Sequence, residues 1–421
     1  MELSISGSVS DTLAGRTVAL GVTGSIAAVR TVDLVRDLIR RGADVHCVMS
    51  EAAQRILHPH ALEYASGNPV ITEITGRVEH VELCGVEGRA DMLLIAPATA
   101  NTIGKIACGI DDTPVTTFAT TAIGSGKPVA VVPAMHEAMY RHPAVIENLK
   151  RLRSMGVVCI DPRIEESKAK IAENARIVAE VERILGPGDL RSRRVLVTSG
   201  ATAESIDPIR IITNRASGRT GVEIAREAYR RGAEVTVVHR ARLGLPFREI
   251  YVESAQDMLD AVMKELSTGY DALIGAAAVG DFTVDTEQRK IKSKDEIVLR
   301  LRPAPKILRS VRSVHPDLTI IGFKAETFVS DEDLMRSARE SMNASRLNLV
   351  IANDVGAGGM GTDDNRVLIV REDGSHAEVS GKKSIIARSV IDELVRILND
   401  RDHGCSEARK LQWSSSPGET R

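Results

Sequence analysis

Short apolar runs alternate with amphipathic stretches along almost the whole chain. In the first half the runs are Val18 to Val22, Val45 to Met49, Met92 to Ala96, Val129 to Val132 and Val157 to Ile160. Runs of this length predict strands buried on both faces. Between them the apolar positions recur at helical spacing, as in Arg30 to Arg41, where Val32, Leu34, Val35, Leu38 and Ile39 share one stripe. Strand, helix, strand in this order implies a mostly parallel sheet with right-handed crossovers. The pattern closes with a helix over Ile177 to Leu185, stopped by Gly186-Pro187-Gly188, and then restarts. The second series is Val195 to Val197, Val235 to Val238, Ala272 to Ile274, Thr319 to Gly322, Leu349 to Ile351 and Val367 to Val370. The expectation is an α/β protein of two Rossmann-like domains, 15–185 and 193–399. A linker at 186–192, a polar leader at 1–14 and a polar tail at 400–421 complete the division. One local echo recurs in both halves: Arg40-Arg41-Gly42-Ala43-Asp44-Val45 and Arg230-Arg231-Gly232-Ala233-Glu234-Val235. Each predicts a helix end, a glycine cap and the next parallel strand, and convergence on a common αβ turn explains it better than a duplication does.

Composition narrows the function. At 421 residues the chain is longer than one core usually organises. Apolar residues make up 43% of it and no stretch approaches the roughly 18 uninterrupted apolar residues of a membrane span. Lys and Arg total 55 against 57 acidic residues, a net charge of -2, so the basic excess of a general nucleic-acid binder is absent. The five cysteines, Cys47, Cys84, Cys108, Cys159 and Cys405, form no metal-binding or redox spacing, and no basic stretch leads into an apolar one at the N-terminus. A cytoplasmic protein acting on small molecules is expected, without membrane or nucleic-acid partners.

Ligands of parallel α/β sheets collect beyond the carboxyl ends of the strands. In the first half those ends carry Thr23-Gly24-Ser25-Ile26, Ser50-Glu51, Ala98-Thr99-Ala100 and Pro133-Ala134-Met135-His136. Hydroxyls and glycine there suit a mononucleotide phosphate, although each turn by itself also reads as an ordinary βα connection. His80 stands in Val78-Glu79-His80-Val81-Glu82-Leu83, ahead of the third strand; alone, a histidine is more often structural.

Taken in order, Gly24-Ser25-Ile26-Ala27-Ala28, His80-Val81-Glu82-Leu83, Ala96-Pro97-Ala98-Thr99-Ala100 and Pro133-Ala134-Met135 resemble the flavin-dependent cysteine decarboxylase family, phosphopantothenoylcysteine decarboxylases above all. The resemblance implies a flavodoxin-like domain in which Gly24, Ser25, Ile26, Ser50, Ala98, Thr99 and Ala100 hold FMN. His80 would be the catalytic base. Decarboxylating an acylated cysteine leaves a carbanion with no electron sink, and oxidation of the thiol to a thioaldehyde by hydride transfer to a flavin creates one. Two departures stand out. His136 replaces the asparagine expected to hold the substrate carboxylate, and imidazole also donates to a carboxylate. Glu165-Glu166-Ser167-Lys168-Ala169-Lys170-Ile171 occupies the place of the family's cysteine-bearing flap. Its charge density predicts a solvated helix, with Lys168 or Lys170 a candidate replacement for the flap cysteine as proton donor.

In the second half, Val197-Thr198-Ser199-Gly200 again ends a first strand with small polar residues, and Asn214-Arg215-Ala216-Ser217-Gly218-Arg219 leads into a helix near Thr220. The loop suits an anion, and capping by Ser217 explains part of it. Ala276-Ala277-Ala278-Val279-Gly280-Asp281 lets a base approach the backbone, and Lys290, Lys292 and Lys294 concentrate cations that suit a solvated face or a triphosphate. With Gly322-Phe323-Lys324-Ala325-Glu326 and Ala352-Asn353-Asp354-Val355 these segments resemble phosphopantothenate-cysteine ligases. Joined in this order, the two resemblances match bifunctional enzymes of coenzyme A synthesis. They imply activation of the pantothenate carboxylate by CTP with Mg2+, release of pyrophosphate, and attack by the cysteine amine on the acyl-cytidylate. By motif, Asn214 would stabilise the acyl-cytidylate with help from Arg210. Ala278 would meet the cytosine through its backbone, Asp281 the ribose, Lys290 or Lys292 the triphosphate, and Phe323 the nucleotide. Ser341, Ser345 and Arg346 stand where bacterial relatives carry lysines. The resemblance also implies homo-oligomers, trimeric through the first domain and dimeric through the second.

Other readings are a flavin prenyltransferase-like flavoprotein, which leaves the second half unexplained, and a regulatory paralogue, against which His80 and Asn214 both argue. A nicotinamide dehydrogenase is disfavoured because neither half carries G-x-G-x-x-G at the turn after its first strand.

Overall fold

A computed structural model of the chain describes residues 4–165, 168–292, 298–356 and 362–414. It divides into two units, Met1–Gly186 and Pro187–Arg421. In the first, five parallel strands run in the order Asp44–Met49, Thr17–Val22, Met92–Ala98, Val129–Pro133, Val158–Cys159. This is the flavodoxin-like order, and its switch point lies between Thr17–Val22 and Met92–Ala98. Side chains alternate between the two sheet faces: Val18, Leu20 and Val22 join one buried cluster with Met92 and Leu94, whereas Ala19, Leu93 and Ile95 join the other.

The second unit is built on an eight-stranded sheet in the order Arg248–Tyr251, Glu234–His239, Arg194–Ser199, Ala272–Gly275, Thr319–Glu326, Leu349–Asp354, Asp364–Arg371, His376–Lys382. The first six are parallel and the last two form antiparallel pairs at one edge. Two hairpin-like pairs stand apart from it, Ala203–Ser205 with Ile211–Thr213 and Phe282–Val284 with Leu301–Pro303. Among the described residues no helix is long and apolar enough to cross a membrane.

The leader and the linker are not free segments. Leu13 is fully buried and its N–H donates to the Arg41 carbonyl at 2.8 Å; Leu190 is equally buried and donates to the Arg231 carbonyl at 3.0 Å. In both units the chain entering the first strand is thus tucked under the echoed Arg-Arg-Gly-Ala turn. Gly42 and Gly232 take positive φ there, and an added Cβ would lie 2.9 Å from Ala14 and from Arg191 respectively. The tail differs as well: the last helix, Lys383–Ser414, continues past residue 400. The charged run expected as a helix is instead two short antiparallel strands, Arg163–Glu165 and Lys168–Lys170, with Glu166 and Ser167 outside the described residues. It is extended because it pairs with Met135–His136, so backbone pairing to a distant segment overrides the local charge pattern.

Candidate functional sites

At the switch point of the first unit, Thr23 clasps the two neighbouring strand ends. It is buried, donates to the Pro97 carbonyl at 2.7 Å and accepts from the Thr99 N–H at 3.1 Å. Gly24 sits so close to the helix Glu51–Gln54 that an added Cβ would lie 2.5 Å from that of Ala52. Ser25, Ser50 and Thr99 each cap a helix, accepting from Ala27, Ala53 and Thr102 N–H groups. A hydroxyl that accepts in this way keeps its own O–H to donate, so the caps and a phosphate are compatible. Ile26 is exposed beside them. His80 lies on the helix Glu79–Cys84, edge-on to Phe118 with ring centroids 6.4 Å apart, and its Nδ1 is buried with no hydrogen-bond partner among the described residues. An unsatisfied buried ring nitrogen fits a site completed by a ligand. His136 is exposed, opposite Lys168 in the strand pair that holds the flap segment down. Glu173 bridges the same segment to the mouth, pairing with Arg163 at 2.5 Å and Arg30 at 2.6 Å; Arg30 ends the turn of helix that begins at Ile26.

The second unit has a cleft of about 460 Å³ over the carboxyl ends of its central strands. Asn214, the first turn of the helix Arg219–Arg230, Ala276 to Asp281, Phe323 and Asn353 line it. The Ala278 turn is fixed from both sides: its N–H donates to Gly200 at 2.9 Å, and its carbonyl accepts from Asn214 Nδ2 at 3.0 Å. Asp281 meets Lys306 Nζ at 2.6 Å and Lys324 meets Glu326 at 3.1 Å. Outside the cleft, Asp207 ties two loops together. Its carboxylate accepts from the Ile209 and Arg210 N–H groups at 2.8 and 2.9 Å, from the Ile291 N–H at 3.2 Å and from the Arg210 guanidinium at 2.5 Å. Burial acts to raise its pKa, but these donors outweigh it and draw the carboxyl down to about 2. Among the described residues no group of three or more His, Cys, Asp or Glu side chains is placed to hold a metal.

Known proteins share both halves. Residues 6–186 match the flavoprotein family and residues 190–398 match the DNA/pantothenate metabolism flavoprotein C-terminal domain. The coenzyme A biosynthesis bifunctional protein CoaBC of Thermococcus kodakarensis is 49% identical over 392 residues, 92% of this chain and 96% of its own length. That of Methanocaldococcus jannaschii is 36% identical, covering 94% of this chain and 97% of its own length. The chain belongs to this bifunctional family. Among solved structures, a C-terminal domain of CoaBC is similar over 51% of this chain and 99% of its own (31% identity, TM-score 0.42). A mutant PPC decarboxylase complexed with pantothenoylaminoethenethiol is similar over 39% and 96% (28% identity, TM-score 0.35).

Of the ligase residues expected from sequence, the fold brings Asn214, Ala278, Asp281 and Phe323 to one cleft. Arg210, Lys290 and Lys292 do not line it. They are gathered elsewhere, because Arg210 bonds both Asp207 and the carbonyl of Ile291, the residue between the two lysines. Lys294 lies outside the described residues. Ser341 and Ser345 do line the cleft. Sequence reasoning missed Thr23, Asp207, Lys306 and Lys383. Lys306 had a local signal, a lone cation after Pro303-Ala304-Pro305 at a helix start. The role of Thr23 depends on partners far along the chain and had none, and of the Asp207 contacts the one to Ile291 is equally distant.

Proposed function

We propose that the second unit joins 4'-phosphopantothenate to cysteine with CTP, and that the first decarboxylates the resulting phosphopantothenoylcysteine to 4'-phosphopantetheine with bound FMN, in the cytoplasm. The observation that carries the ligase half is the Asn214–Ala278 bond, which joins the two loops expected to meet the acyl-cytidylate and the base. Since the Ala278 N–H is engaged by Gly200, its carbonyl, which takes Asn214 on one lone pair, keeps the other to accept from the cytosine amino group, with Asp281 toward the ribose and Phe323 against the nucleotide. Mg2+ would enter with the triphosphate, whose oxygens supply the ligands that the described side chains do not gather. A carboxylate resists attack by an amine; conversion to the acyl-cytidylate expels pyrophosphate, and the cysteine amine then displaces CMP.

Arg210, Lys290 and Lys292 reach a cleft in this reading through dimerisation. Ile209, Ile211, Phe282 and Leu301 are exposed on the two hairpin-like pairs beside the Asp207 knot, an apolar surface that a second copy would cover while delivering the three cations to its partner's cleft. An Arg210→Gln chain mixed with an Asn214→Asp chain then regains ligase activity that neither has alone; no recovery on mixing would place both residues in one subunit's cleft.

In the first unit, Gly24, Ser25, Ser50 and Thr99 would hold the FMN phosphate, with Ile26, Ala98 and Ala100 against the rest of the cofactor. FMN would supply the reversible hydride acceptor that makes the acylated cysteine able to lose CO2. His80 removes a proton during the oxidation through its unpartnered ring nitrogen, and His136 holds the substrate carboxylate. Lys168 or Lys170, on the strand paired to His136, returns a proton in the final reduction. The decisive experiment supplies 4'-phosphopantothenate, cysteine, CTP and Mg2+ to the purified protein, then follows pyrophosphate and CO2 separately. Release of both supports the full reading. Pyrophosphate without CO2 would show that the altered flap has cost the first unit its activity.

A further inference from the structure

Lys383 opens the last helix, Lys383–Ser414, and lines the ligase cleft although only 7% of its surface is exposed. Its position is electrostatically unfavourable. The first turn of a helix is the positive end of the helix dipole, where an acidic residue is the stabilising choice. Burial and the nearby Arg219 both lower its pKa, and Asp363 offsets them in part. Asp363 is itself held by Arg219 at 2.8 Å. The Lys383 ammonium donates to the Thr362 carbonyl and pairs with no carboxylate among the described residues. The sequence Ala357-Gly358-Gly359-Met360-Gly361 just before Thr362 carries no acidic residue to change this.

A buried ammonium costs several kcal/mol unless paired, and one carbonyl satisfies one of its three donors. The contrast within the cleft is informative: Lys306 and Lys324 already face Asp281 and Glu326. Lys383 is a buried cation on the wall of a ligand cleft, with no carboxylate in hydrogen-bond reach among the described residues and the nearby Asp363 already held by Arg219. An anion entering that cleft would supply the charge and the acceptors together.

We propose that Lys383 is a phosphate-binding residue of the ligase cleft, taking a phosphoryl group from one of the two phosphorylated substrates. The proposal rests on the ligase reading above. Its two sources, the nucleotide triphosphate and the 4'-phosphate of the acid, are distinguished by which Michaelis constant moves.

The test compares the wild-type full chain with Lys383→Met and Lys383→Arg. Pyrophosphate release is measured while CTP, phosphopantothenate and cysteine are varied in turn, and the thermal shift given by inorganic pyrophosphate, by CTP and by phosphopantothenate is measured in parallel. Losing a charge-assisted bond to phosphate raises KM about 10- to 100-fold. Lys383→Met therefore raises KM for CTP or for phosphopantothenate by that factor and abolishes the matching thermal shift, while Lys383→Arg recovers most of both. A rise for CTP identifies the triphosphate and a rise for phosphopantothenate the 4'-phosphate. The proposal is overturned if neither constant moves, if only the constant for cysteine moves, or if none of the three phosphate probes stabilises the wild type. A wild type that is stabilised by phosphate probes in a Lys383-dependent way yet releases no pyrophosphate would sink the ligase reading and leave the anion site standing.

Discussion

In the proposed reading the two units meet the same problem, holding a phosphorylated ligand at the carboxyl ends of a parallel sheet, with different chemistry. The mouth of the first is built from helix-capping hydroxyls of Ser25, Ser50 and Thr99 and the close turn at Gly24. The second lines its cleft with cations, among them Arg219, Lys306 and Lys324, each paired to a carboxylate, and Lys383, buried with no carboxylate in hydrogen-bond reach among the described residues. Fixed backbone dipoles and hydroxyls suit a resident cofactor with a single phosphate. A triphosphate that is cleaved and released at every turnover carries more charge, and cations held on carboxylates can exchange partners as it comes and goes. Outside their sites the units converge, since Leu13 and Leu190 are pinned beneath the same Arg-Arg-Gly-Ala turn.

The strongest way to break this comparison is to silence one unit. Replacing His80 by Asn is expected to lower CO2 release from supplied phosphopantothenoylcysteine by about 10³-fold, the scale of a lost general base, with pyrophosphate release unchanged. Normal CO2 release would remove His80 from the mechanism. Next, Leu13→Ala and Leu190→Ala should each destabilise their own unit by about 2–5 kcal/mol, and by similar amounts if the shared turn is one device; two-probe denaturation of the full chain measures both. A large cost at one site and none at the other would end the analogy.

Asp207→Asn sharpens the ligase side. It weakens the tie between Arg210 and the Ile291 segment and should cost about 10²-fold in ligation, as misplaced groups do, while leaving decarboxylation intact. Acidification provides a second check. The Asp207 carboxyl is depressed below its ordinary value, so its contribution is complete above about pH 4 and fades only as pH falls through about 2. Ligase activity lost between pH 6 and 4 therefore belongs to other groups, and an Asp207→Asn enzyme should lose it over the same interval, as pH profiles of the two would show. The smallest effect expected is that of Thr99→Ala, about 1 kcal/mol from the lost cap, accompanied by weaker FMN retention if the hydroxyl also donates to the phosphate. Unchanged FMN retention would leave Thr99 a cap alone.

Periodicity and turn chemistry made the architecture legible before any coordinates: the apolar runs became the central strands, and the chain divides within the Gly-Pro-Gly stretch at 186–188. The strand-end motifs were legible for the same reason, since a buried parallel strand followed by small polar residues is a local pattern. So was the doubled Arg-Arg-Gly-Ala turn, because a glycine at positive φ after a helix is written in a few consecutive residues. What tertiary structure decided are relations between distant segments. Pairing with Met135–His136 makes strands of a run whose charges favoured a helix. Asp207 draws Arg210 and Ile291 into one knot and away from the cleft that their motifs suggested. The charge of Lys383 could be read from the sequence, but its burial beside a cleft, bonded to the Thr362 carbonyl and to no carboxylate among the described residues, could not. Such features depend on which backbone and which charges lie across a gap in space, and hydrophobic periodicity records a residue's neighbours along the chain, not those partners.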